Sequence, residues 1–124
     1  MSYPLTDDEV LYRRIPPGDT FQVPPSGRIA SGNFTLRHDL NEVGLSVGRA
    51  NFMTAAELVG RQPPPTDGWR VAAATVAEIR RLGLDVVPVP LPDNPGHAEI
   101  RSGSGNLDTR STRRKLAAVF QYVL

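Results

Sequence analysis

Twelve prolines and eleven glycines in 124 residues leave this chain few uninterrupted stretches, and that punctuation constrains its fold more than any other feature. Proline removes a backbone donor and glycine weakens a helix interior, so long helices cannot run through such spacing. A helical bundle is disfavoured; strands and short helices joined by shaped loops are expected. The proline- and glycine-rich stretches predict loops at about residues 16–33 and 61–68. A chain of this length forms one domain around one core.

Between the breaks, Val10 to Ile15 reads as a first strand, stopped by Pro16-Pro17-Gly18. Asn33 to Leu36 and Leu45 to Val47 read as further short strands, and Trp69 to Ala74 as another. Three Thr-x-x-Glu capping boxes, at Thr6–Glu9, Thr54–Glu57 and Thr75–Glu78, predict a single turn before the first strand, a short helix closed by Gly60, and a helix over residues 76–82. Leu84 to Leu91 interleaves apolar residues with prolines, as an edge strand or extended loop does. Ala98 to Arg101 is the last strand expected, followed by a flexible turn over residues 102–106. In a C-terminal amphipathic helix, Leu116, Val119, Phe120 and Val123 fall at i, i+3, i+4 and i+7 and would cover one sheet face. The order predicts a compact single α+β domain with a small, mostly antiparallel or mixed sheet, because most of its helices are too short for ordinary parallel crossovers.

Charge excludes some functions. A net charge of +1 gives no global field towards nucleic acid or anionic membrane, and aromatic residues are sparse, with no recognition motif. No apolar run approaches the roughly 20 residues of a membrane span. The N-terminal Met-Ser-Tyr-Pro-Leu-Thr-Asp-Asp-Glu lacks the pattern of a secretory signal, and the chain has no cysteine, so a cytoplasmic location is expected. Thirteen of the fourteen basic residues are Arg, whose planar fork suits carboxylate or phosphate, although genomic base composition produces the same bias. Arg110, Arg113 and Arg114 at the start of the C-terminal helix oppose its macrodipole at a cost of a few tenths of a kcal/mol each. They are either a solvated first turn or a site for a phosphate-bearing anion.

His97 and Glu99 lie one residue apart after the Pro95-Gly96 turn, so a strand there puts both on one face. His97 then either rests on a backbone carbonyl or serves as a donor or general base, oriented by Glu99. With His38 in a polar loop, no metal site is expected. Arg13 and Arg14 point to opposite faces of the first strand, one towards the core or a cleft and needing an anion or carboxylate partner. Ser46, between Leu45 and Val47, either packs or offers its hydroxyl to a ligand.

Leu11 to Ile15, Ser31 to Phe34, Gly44 to Val47, Val71 to Thr75 and Asn94 to Ile100 together resemble a group of small uncharacterised bacterial proteins over nearly the whole chain. The same succession is similar to the ADP-ribosyltransferase fold, in which an Arg on an early strand, a Ser on a middle strand and a Glu on a late strand converge on NAD. That resemblance implies NAD as a substrate, Arg13 or Arg14 on its pyrophosphate, Ser46 and Glu99 as catalytic residues, and Phe52 as the aromatic beside nicotinamide. Glu99 would polarise a ribose hydroxyl as oxocarbenium charge develops. His97 stands where that family commonly has a polar or acidic residue. Two functions follow: an NAD-using or ADP-ribosyl-transferring protein, such as an effector in bacterial conflict, or a non-enzymatic module that binds a protein partner, such as an antitoxin or immunity protein.

Overall fold

A computed structural model describes residues 4–37, 41–103 and 107–124 of the chain. His38 and the Ser104–Asn106 part of the expected turn lie outside the described residues. Six strands form one antiparallel sheet in the order β6-β7-β4-β1-β5-β8, where β1 is Val10–Ile15, β4 Leu45–Arg49, β5 Arg70–Thr75, β6 Asp85–Pro88, β7 His97–Arg101 and β8 Gln121–Tyr122. A small hairpin of β2 (Gln22–Val23) and β3 (Arg28–Ile29) stands apart from the sheet, within the stretch expected to be loop. The α+β architecture and the antiparallel sheet are as the sequence predicts, and β6 is indeed an edge strand.

One sheet face carries the core. Leu11, Ile15, Leu45, Val47, Ala72, Ala74, Val86, Ala98 and Ile100 are buried there against Val76 and Ile79 of helix α2 (Val76–Arg81), and against Leu116 of helix α3 (Arg110–Val119). Phe34, in a 3-10 turn over Ser31–Phe34, meets Phe120 with ring centroids 5.1 Å apart. The opposite face is only partly covered. Helix α1 (Ala55–Gly60) lays Leu58, with Met53, over Val71 and Tyr12, leaving the β4–β7 half of this face open. The described part of the chain has no helix long and apolar enough to cross a membrane.

Four expectations are corrected. Asn33 to Leu36 is not a strand: the Asn33 side chain donates to the Ala30 and Phe21 carbonyls, which favours the 3-10 turn. The turn before the first strand forms, with the Glu9 amide on the Thr6 carbonyl at 3.1 Å, but the capping box does not, because the Glu9 side chain turns inward to a buried ion pair with Arg49 instead of reaching back to a cap. The C-terminal helix ends at Val119; Phe120 is extended, Gln121 and Tyr122 pair with β5, and Val123 is exposed. Ala98 to Arg101 is therefore not the last strand. The other two boxes form fully: in α1 and α2 the Thr54 and Thr75 hydroxyls accept from the N3 amides while Glu57 and Glu78 reach back.

Candidate functional site

Strand register decides which side chains meet. Ser46 lies opposite Glu99, and Gly48 lies opposite both His97 and Tyr12, so Tyr12, Arg14, Ser46, His97 and Glu99 all share the open face. Arg13 points the other way, as alternation requires. Half-buried, its guanidinium donates twice to the Asn33 carbonyl, at 3.0 and 2.6 Å, and once to the Ser46 carbonyl at 2.7 Å. Burial pushes its pKa down to about 10, Glu42 opposing and Arg14 adding to that shift. Arg13 thus holds the Ser46 backbone from the core side and is not part of the open face.

Where α1 stops short of β7, a cleft of about 270 Å³ opens. Tyr12, Arg14 and Ser46 line it from the sheet, Arg61 from the end of α1, and Asn94 and His97 from the turn into β7. Two glycines let the segment at Phe52 and Met53 pack closely beside the cleft. A Cβ at Gly48 would stand 2.5 Å from the Met53 sulfur, and one at Gly96 would stand 2.6 Å from Phe52 Cβ. Met53 has a flexible end that can shift; the Phe52 Cβ cannot move without its backbone.

Two arginines and one acidic residue, Asp93, line the cleft. Arg14 reaches only the Leu58 carbonyl, at 3.5 Å, and Arg61 donates to the Asp93 carbonyl at 3.0 Å. Among the described residues neither guanidinium has a carboxylate partner. Burial, and then the charge of Arg61, lower the pKa of Arg14. Two arginines facing one cavity repel each other until an anion enters, and an oxyanion group accepts from both forks. Asn94, also in the lining, has a buried Oδ1 without a hydrogen-bond partner.

Beside the cations sits a serine–histidine pair. His97 Nδ1 lies 2.9 Å from the Val89 carbonyl, which only accepts, so Nδ1 carries a proton. In the neutral ring Nε2 is then an acceptor, and the Ser46 hydroxyl donates to it across 3.2 Å. A backbone carbonyl satisfies one ring nitrogen, as the first reading of His97 has it, and it is this carbonyl, not Glu99, that orients the ring towards a hydroxyl.

The remaining expected site residues stand elsewhere. Glu99 shares the face but its Oε1 is taken by Arg101, at 2.8 and 3.0 Å, next to Gly44 and outside the cleft lining. It makes no hydrogen bond to His97. Phe52 packs under the Arg49 guanidinium, 4.9 Å from ring centroid to Cζ, and does not line the cleft; the aromatic that does is Tyr12. Arg113 is bound to the Asp108 carboxylate at 2.9 Å, while Arg110 and Arg114 are exposed. Arg61 and Asn94 were not anticipated. The Arg sits in a proline-rich connection and the Asn in a turn, and only the packing of α1 brings them together. Among the described residues no group of three or more His, Asp and Glu is placed to hold a metal ion.

The fold and cleft define an antiparallel α+β domain with an arginine-lined pocket on its open sheet face. Comparison with known proteins gives no match to a family model, a curated protein or a solved structure.

Proposed function

We propose that this protein uses NAD or a closely related nucleotide, held in the cleft by its pyrophosphate at Arg14 and Arg61. The observation that carries this reading is the pair of guanidiniums that face one cavity, neither bonded to a carboxylate among the described residues, with Asp93 as the one acidic residue in the lining. Repulsion between them and burial of Arg14 are offset once a doubly anionic group bridges the forks. Tyr12 gives a half-buried ring surface for a base or nicotinamide. The resemblance to ADP-ribosyltransferases supplies NAD as the member of this ligand class. Of the two early arginines it allows, Arg14 is the one in the cleft. Binding needs nothing from Glu99; ADP-ribosyl transfer through Glu99 requires that carboxylate to leave Arg101.

Calorimetric titration of NAD into the wild type and Arg14→Met tests the reading. A charged hydrogen-bonding group contributes about 1.5–3 kcal/mol, so the variant binds roughly 10- to 100-fold more weakly. Equal affinity in the two proteins, or no heat of binding in the wild type, contradicts it.

A further inference from the structure

We propose that Ser46 is a nucleophile, activated by His97, and that it cleaves the phosphoanhydride bond of the nucleotide held at Arg14 and Arg61. The choice of bond rests on the NAD reading above; the nucleophile rests on geometry alone. The Ser46 Oγ donates to His97 Nε2 while the Val89 carbonyl fixes the opposite ring nitrogen. A hydroxyl on a base that is itself oriented by a third group is the general arrangement of an activated serine. The residues are 51 positions apart and come from paired strands, so the contact is set by the sheet. Ser46 is also exposed to the cleft, and its carbonyl is anchored by Arg13 from behind. A rigid strand supports an attacking atom better than a loop does.

Glu99, on which glycosidic-bond chemistry would depend, is bound to Arg101 away from the cleft. Among the groups that line the cleft are a hydroxyl, its base and two cations that outnumber the single carboxylate of Asp93, and these fit attack at phosphorus. The Ser46 Oγ–H passes its proton to His97 Nε2 as the oxygen forms a bond to one anhydride phosphorus. The P–O bond to the bridging oxygen breaks, and the leaving phosphate takes the proton from Nε2. Water then attacks the phosphoserine ester and gives a proton to Nε2. The Ser46 P–O bond breaks, and the Ser46 oxygen recovers that proton. Arg14 and Arg61 meet the charge on the phosphoryl oxygens throughout.

Two measurements test this separately from ligand binding. A fluorophosphonate probe, which reports an activated serine whatever the natural ligand, is expected to label Ser46 in the wild type and to label His97→Ala roughly 10²- to 10⁴-fold more slowly. No label on Ser46, or equal rates in the two proteins, overturns the nucleophile. Incubation with NAD is expected to release AMP and nicotinamide mononucleotide, and Ser46→Ala is expected to stop release while keeping the calorimetric affinity for NAD. Release of nicotinamide and ADP-ribose, or no cleavage by wild type saturated with NAD, overturns the choice of bond. Labelled Ser46 in a protein that gives no heat with NAD supports the nucleophile and removes the ligand reading.

Discussion

Two arginines in this protein, Arg49 in the core and half-buried Arg14 in the cleft, have opposite energetic roles. Arg49 is almost fully buried and grips Glu9 with two hydrogen bonds, at 2.9 and 2.7 Å, the pair lying wholly within the fold. Removing one member strands the other charge, and Glu9→Ala is expected to cost about 3–5 kcal/mol in urea denaturation. Arg14 has no such partner, so Arg14→Met in the absence of ligand is expected to leave stability unchanged or slightly raised. A loss of comparable size in both variants would show that Arg14 is a structural residue. The opposite faces of Arg13 and Arg14 were legible in the sequence, because alternation along a strand is local. The role of Glu9 was not, since Thr6-x-x-Glu9 has the spacing of a capping box and its true partner lies 40 residues away. Arg13 was expected to need an anion if it faced the core; three carbonyl contacts serve instead, and no spacing rule anticipates them.

At the scale of elements, α2 begins where β5 ends, with Thr75 serving both. Thr75→Ala removes a formed capping box and is expected to cost roughly 1 kcal/mol, whereas Thr66→Ala, at a hydroxyl without a hydrogen bond, is expected to change the melting temperature little. Equal melting temperatures would mean that the cap does not hold α2. Both short helices were readable because a cap and a closing glycine lie only six residues apart in one and eight in the other. The C-terminus was not, since its apolar spacing suits a helix through Val123. The chain leaves the helix at Phe120 because β5 offers an open edge to Gln121 and Tyr122. Such pairing depends on a strand about 50 residues earlier and leaves no local trace.

For the whole molecule, the unequal covering of the sheet creates the site. The core face is closed by α2, α3 and the 3-10 turn, while α1, only six residues long, closes half of the other face and leaves a cleft at its end. Alternation within a strand separated Arg13 from Arg14, but Ser46, His97 and Arg14 come to one face only through the pairing of β1, β4 and β7, and Arg61 and Asn94 join them only through the packing of α1 and the turn before β7. A second basic groove, between β3 and α3, carries Arg28 and Arg114 and provides an internal control. The most direct measurement is an NMR titration of the full chain with NAD, following backbone amides and the His97 ring. Perturbations are expected to cluster at Tyr12, Arg14, Ser46, Arg61, Asn94 and His97 and to saturate together. Perturbations confined to the Arg28–Arg114 groove, or none at saturating NAD, would contradict the assignment of the cleft.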